Sequence, residues 1–270
     1  MSETQGAADV AVEVIEVAGT PTALRRAGAG DPLLFLHGAG FTGAWLAFHE
    51  ALSQGSDLVA PEHIGFGDTP MQDWMRSMDD MLVHYDDFVR AIGLDRFDLV
   101  GYSLGGWIAA RFAVLWPERV RTLTLITPAG LRLPGTPTPP DLFVTEPAQT
   151  ADLLFEDKSK IEEVFALPEG VDPIDAMMRT YAQLSAVARL AWNPRHDRSL
   201  PRLLRRITAP TLLVGAENDR VIPDENGVGS YAQLIPHART THIPGTGHAL
   251  IVERPEAVAQ AILEFAKETA

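Results

Sequence analysis

"DLVGYSLGGWIAARF", residues Asp98–Phe112, decides how the rest of the chain reads. Its first part, through Val100, is the end of a short apolar run, the mark of a buried strand, and Leu104–Phe112 has the apolar spacing of a helix. Between them stands Ser103, with Gly101 two places before it and Gly105 two places after. A serine on so sharp a strand-to-helix turn is lifted above the sheet edge, and the positions two residues away must then lack a Cβ. Gly106 gives further room where helix and strand pack, and the helix N-terminus beneath Ser103 favours developing negative charge.

Outward from this turn, strand and helix signals alternate. Val10–Val17 alternates apolar and charged residues, as a half-exposed edge strand does, "TPTALRRA" follows as a second strand, and "PLLFLHG" is continuously apolar. "GAWLAFHEALS" has helical spacing, "DLVAPEHIGFGD" begins as a strand and breaks at glycines, and Met78, Met81, Leu82, Tyr85, Phe88, Val89 and Ile92 trace a 3.6-residue period. After the opening stretch come Pro117, which stops the helix, and the buried strand "RTLTLIT". Such alternation predicts an α/β fold, a mostly parallel doubly wound sheet of about eight strands with helices on both faces. The rhythm fails from Pro128 to about Ile207, where a proline-rich turn and helical segments such as "IEEVFAL" and "PIDAMMRTYAQLSAVARLAW" appear, and resumes with "PTLLVGAENDRVIP". The expected organisation is a core of residues 1–128 and 207–270 with a helical insertion over 129–206.

Composition narrows the function classes. The 270 residues hold 22 Lys and Arg against 36 Asp and Glu, a net charge of −14, which repels nucleic acid and anionic membranes. Arg202, Arg205 and Arg206 read as one face of a short solvated helix. With no cysteine there is no disulfide, thiolate metal site or cysteine nucleophile. No histidine pair has metal-ligand spacing, "HGAGFTG" is not a dinucleotide fingerprint, and no Walker lysine follows a glycine loop, so neither metal nor cofactor is expected. The acidic start "MSETQGAADV" lacks the features of a signal peptide, and no apolar run is long enough to span a bilayer. The expectation is a cytoplasmic protein with no nucleic-acid or membrane partner, a homo-oligomer being left open.

A serine hydroxyl is a weak nucleophile that needs a base, and the base needs an orienting acid. "GAENDRVIP" puts Asp219 past the C-terminal end of one buried strand, and "IPGTGHAL" puts His248 past the next. The carboxyl ends of parallel strands share one edge, so Ser103, Asp219 and His248 should converge there. Glu217 is an alternative acid, whereas Asp224 and Glu225, beyond Pro223, read as solvated. His242 and His237 read as structural, and His49, His63, His84 and His196 lack a glycine-rich strand-end setting. Two backbone N–H groups should receive an oxyanion: that of Leu104 and one from the "HGAG" loop, Ala39 with Gly40 as its alternate. His37, just before that loop, reads as a ring that fixes loop backbone.

The stretches "LFLHGAG", "APEHIGFGD", "LVGYSLGG", "PERVRTLTLITPAG", "PTLLVGAENDRVIP" and "IPGTGHALIVERPEAVAQAI" resemble, in order, the landmarks of the α/β-hydrolase fold family, in its serine-nucleophile branch with a helical cap. The resemblance covers residues 10–128 and 207–270. It implies Ser103 as nucleophile, Asp219 as acid, His248 as base and the Ala39 and Leu104 amides as oxyanion donors. Glu62 stands where aspartate is commoner in the family, and Ala216 where glycine is. The expected activity is hydrolysis of carboxylic esters of small to medium, mostly apolar molecules. The alternatives are carbon–carbon bond hydrolysis of ring-cleavage diketone acids, whose enzymes typically carry tryptophan where Ala249 stands, or a non-catalytic ligand-binding member of the fold. Substrate contacts are expected from Gly38, Gly40 and Tyr102, and from the cap side chains Phe143, Phe155, Phe165, Met177, Met178, Leu190 and Trp192. Arg179 and Arg189 are the cap cations expected to anchor a carboxylate.

Overall fold

The computed structural model describes residues 10–161, 171–192 and 195–269. Phe165 and most of the "IEEVFAL" segment lie outside the described residues. Eight strands form one sheet: β1 Glu13–Val17, β2 Thr20–Gly28, β3 Pro32–Leu36, β4 Asp57–Pro61, β5 Phe97–Tyr102, β6 Val120–Ile126, β7 Thr211–Ala216 and β8 Arg239–Ile243. Their spatial order is β1-β2-β4-β3-β5-β6-β7-β8. β2 runs antiparallel to both β1 and β4, and every other pair is parallel.

The period of two along each strand sorts its side chains between two cores. Leu34 and Leu36 of β3 and Leu99 of β5 face α2 (Met78–Ala91) and α3 (Leu104–Leu115). Leu33, Phe35 and Val100 face the opposite way, against α1 (Ala47–Ser53) and the C-terminal helix. α2 begins where the Ser77 hydroxyl accepts the Asp80 N–H at 3.3 Å, and buries Met78, Met81, Leu82, Tyr85, Phe88 and Val89 on one face.

Between β6 and β7 the chain leaves the sheet for an excursion holding α4 (Pro147–Leu154) and α5 (Pro173–Ala191), with the single turn α6 (Leu200–Leu203) near its end. α7 (Val228–Leu234), α8 (Leu250–Glu253) and α9 (Pro255–Glu268) complete the chain. α5 is lightly packed, Ala186 being its one buried residue, whereas Leu200 and Leu204 belong to the main core. Arg202, Arg205 and Arg206 are exposed, as expected. No helix of the described residues is long and apolar enough to cross a membrane. Because β3, β5, β6, β7 and β8 all run the same way, the loops after Leu36, Tyr102, Ile126, Ala216 and Ile243 leave the sheet at one edge. The candidate residues gather there.

Candidate active site

Ser103 sits at the tip of the β5–α3 turn with φ 52° and ψ −111°, a left-handed backbone that a non-glycine residue adopts only when its surroundings enforce it. The enforcement is visible in its neighbours. A Cβ on Gly101 would collide with the Gly105 carbonyl, and one on Gly105 would collide with the Leu36 carbonyl of β3. A Cβ on Gly106 would come within 2.9 Å of the Pro128 side chain. The Ser103 N–H donates to the Ile126 carbonyl at 2.9 Å, and its own carbonyl accepts the Ala129 N–H at 3.0 Å, which ties the turn to the end of β6.

The Ser103 hydroxyl lies 3.0 Å from His248 Nε2. On the other side of the ring, His248 Nδ1 is 2.8 Å from Asp219 Oδ2. The second carboxylate oxygen, Asp219 Oδ1, accepts the N–H groups of Val221 at 2.9 Å and Ile222 at 2.8 Å. Those two bonds leave Oδ2 free to accept the proton of His248 Nδ1, so Nε2 keeps its lone pair toward the hydroxyl. His248 and Asp219 side chains are each 4% exposed, which shields the pair from water. Tyr102 donates its hydroxyl to the His248 carbonyl at 2.9 Å, and burial raises the Tyr102 phenol well above its ordinary pKa, keeping the proton on the donor. The hydroxyl, the imidazole and the carboxylate are thus joined in one hydrogen-bonded chain, in which the carboxylate fixes the tautomer and orientation of the ring.

The rejected alternatives have other work. Glu217 accepts the Gly245 N–H at 2.8 Å, and Asp224 pairs with His242 at 2.9 Å. Behind the "HGAG" loop, His37 donates from Nδ1 to the Gly38 carbonyl at 2.6 Å and accepts the His63 N–H on Nε2 at 2.9 Å. His63 returns a bond from Nε2 to the His37 carbonyl at 2.7 Å and accepts the Tyr85 hydroxyl on Nδ1. Burial holds both imidazoles neutral, lowering His37 to about 4 and His63 well below its ordinary value. The loop carrying Ala39 and Gly40 is thus pinned by a buried ring pair, the role read for His37 in the sequence.

A cavity of about 690 Å³ opens on Ser103 and His248. Ala39, Gly40 and Leu104 lie in its wall, and most of the remainder is apolar, including Phe41, Trp107, Leu131, Phe143, Leu184 and Ile251. The volume suits a ligand of drug-like size, and a mostly apolar wall with few polar groups is the usual character of a small-molecule site.

Residues 33–261 match the Alpha/beta hydrolase family. The chain belongs to that family. It is 31% identical over 268 residues to a 2-hydroxy-6-oxo-6-(2'-aminophenyl)hexa-2,4-dienoic acid hydrolase of Metapseudomonas resinovorans, covering 93% of this chain and 89% of that one. It is 24% identical over 271 residues to a monoacylglycerol lipase of Mus musculus, covering 89% and 76%. Among solved structures, a meta-cleavage product hydrolase from Pseudomonas fluorescens superposes with a TM-score of 0.77 at 22% identity, covering 97% of this chain and 99% of that one, a likeness of fold.

In this member of the family the sheet edge brings Ser103, Asp219, His248, Ala39 and Leu104 together, and Gly40, Tyr102 and Phe143 also line the cavity. The remaining expected contacts fall elsewhere. Gly38 is packed against the Tyr102 ring, where a Cβ would approach it to 2.9 Å. Met177 and Met178 are 63% and 57% exposed on the outer side of α5, and Trp192 is 60% exposed, one layer behind the wall with its ring on Phe143. Arg179 faces Asp68 at 3.8 Å and Arg189 reaches the Met75 carbonyl at 3.4 Å, so neither is a wall residue. Phe155 is fully buried and Leu190 packs on the core. Among the described residues, the cations that line the cavity are Arg132, which donates to the Thr138 hydroxyl at 2.7 Å, and Arg195, which pairs with Asp141 at 3.0 Å, with His196 also in the wall. Burial and the two arginines Arg132 and Arg198 lower the His196 pKa. These three lie in irregular chain without periodicity, and only their charge in the segment leaving β6 and approaching β7 could have drawn notice.

Proposed function

We propose that the protein is a serine hydrolase that cleaves a ketone carbon–carbon bond in a diketone acid, with an apolar body held by the cavity. The observation that carries this reading is the Ser103–His248–Asp219 relay opening on a mostly apolar cavity that also presents Arg132, Arg195 and His196. The dienoic acid hydrolase among its relatives supports the choice of bond.

Ser103 attacks the ketone carbonyl while His248 takes the hydroxyl proton, and Asp219 stabilises the imidazolium. The Leu104 and Ala39 N–H groups receive the oxyanion, with the α3 N-terminus behind them. Collapse breaks the carbon–carbon bond; the electron pair leaves on a carbon whose charge spreads into the conjugated acid, and His248 returns its proton there. Water, deprotonated by His248, then releases the acyl group from Ser103. The excursion between β6 and β7 serves as a cap over this site, and a substrate carboxylate would bind at Arg132 and Arg195, whose guanidinium groups are held at the wall by Thr138 at 2.7 Å and Asp141 at 3.0 Å.

An ester substrate is the second reading. Ala249 stands where carbon–carbon hydrolases of this fold typically carry tryptophan, and a monoacylglycerol lipase is among the relatives. The test is kcat/KM for a vinylogous diketone acid against p-nitrophenyl esters of matched acyl size, with wild type and Arg132→Met. Preference for the acid, reduced roughly tenfold or more by Arg132→Met, supports the first reading. Turnover of esters alone, indifferent to Arg132, assigns the second.

A further inference from the structure

Glu253, at the end of α8, is a buried carboxylate outside the relay, 3% exposed, and among the described residues its carboxylate oxygens accept three backbone N–H groups. One oxygen accepts the N–H of Gly247 at 2.7 Å, the residue before His248. The other accepts the N–H groups of Glu156 at 2.7 Å and Asp157 at 2.6 Å, just beyond α4. A carboxylate bonded to three donors is a stiff joint, since bonds to an ionised acceptor are about twice as strong as neutral ones.

The same two chain segments meet again on either side. The Ala249 N–H donates to the Leu154 carbonyl at 2.9 Å, so the peptide groups before and after His248 are both fastened to residues 154–157. Gly247 must be glycine there, because a Cβ would come within 2.6 Å of the Leu154 carbonyl oxygen. Arg220, next to Asp219, grips the segment too, through the Phe155 carbonyl at 2.7 Å and the Glu156 carboxylate at 2.8 Å. Leu154 itself lines the cavity. A ligand pressing on Leu154 therefore touches the piece of chain that sets the backbone at 247–249.

We infer that Glu253 is a positioning residue: it locks the end of α4 to the His248 loop, so that the aim of the imidazole at Ser103 follows the position of the excursion. The inference rests on His248 acting as the base for Ser103. Glu253→Gln keeps the shape but turns an N–H₂ toward at least one backbone donor, and Glu253→Asp keeps the charge while shortening the reach.

The experiment measures the rate constant for covalent inactivation by a fluorophosphonate from pH 5 to 9, per folded protein, for wild type and both variants. Displacing a reacting group by about 1 Å costs on the order of a hundredfold, so partial release of His248 should slow labelling at least fivefold in Glu253→Gln and shift the pH midpoint. Glu253→Asp should fall between, and it carries the test alone if Glu253→Gln does not fold. Labelling within fivefold of wild type with an unmoved midpoint, whatever the change in melting temperature, overturns the proposal and leaves Glu253 a purely structural residue. A wild-type protein that does not label at all refutes the Ser103–His248 reading instead.

Discussion

Asp219→Asn is the substitution whose effect follows most directly from the hydrogen bonds. Oδ1 of Asp219 accepts two N–H groups, from Val221 and Ile222, while Oδ2 accepts a hydrogen bond from Nδ1–H of His248. An asparagine there has one oxygen and one amide nitrogen. Placing the nitrogen against the two backbone donors would set three donors facing one another and leave both N–H groups unpaired. The oxygen must therefore stay with Val221 and Ile222, and the N–H₂ must face His248. The imidazole can answer only by moving its proton to Nε2, which points an N–H at the Ser103 hydroxyl 3.0 Å away and removes the lone pair that should receive its proton. Fold and packing are untouched, because the two side chains are nearly isosteric. The same wrong-tautomer change in serine proteases costs about 10⁴ in kcat, and a loss of that size corresponds to about 5.4 kcal/mol of transition-state stabilisation. The assay is kcat at neutral pH on whichever substrate the wild type turns over, with proton NMR to follow the imidazole N–H. Melting temperature should be nearly unchanged while kcat falls by about three to five orders of magnitude. A variant retaining a tenth of wild-type kcat would refute the relay.

Gly105→Ala drives a methyl group into the Leu36 carbonyl, a backbone atom that cannot rotate away; about 1–3 kcal/mol of overpacking should lower the melting temperature by roughly 2–6 °C and displace Ser103, which thermal unfolding and kcat would both register. His37, His49 and His84 are held neutral by burial, with pKa values lowered to about 4, 3 and 4. The unfolded chain protonates these rings near pH 6.5 and the folded chain does not, so stability is full above that pH and is lost as pH falls toward 4; for His37 the loss is on the order of 3 kcal/mol. A melting temperature flat between pH 7 and 4.5 would contradict that burial. Arg179→Ala and Arg189→Ala, outside the cavity wall, should leave kcat/KM within about twofold of wild type, as exposed or backbone-directed cations do.

The parts of this account that were legible in the sequence are those set by local geometry. The β5–α3 turn announces itself because the Gly101, Gly105 and Gly106 requirements all arise within a few residues of Ser103. Asp219 and His248 follow from strand direction, since parallel strands must end at one edge. The core side of the cavity wall, with Ala39, Gly40, Tyr102 and Leu104, was legible in the same way, but of the cap side only Phe143 was, for two physical reasons. α5 is lightly packed, so its apolar spacing marks no buried face: Ile174, Met177, Met178 and Tyr181 are exposed while Thr180, Gln183, Leu184 and Val187 line the cavity. Arg132, Arg195 and His196 lie in loops, where no period connects residue type to direction. Glu253 escaped for a third reason: its partners are backbone groups, two of them more than ninety positions away, which leave no trace in residue identity.

The central claim is that the Ser103 hydroxyl acts as a nucleophile with its proton passing to His248. Mass spectrometry of the protein after exposure to a fluorophosphonate tests it in one measurement, with Ser103→Ala and His248→Ala alongside. The account requires a single adduct on the peptide containing Ser103 in wild type, none in Ser103→Ala, and labelling slowed by orders of magnitude in His248→Ala. An adduct on any other serine, or labelling at Ser103 that is indifferent to His248, would contradict it.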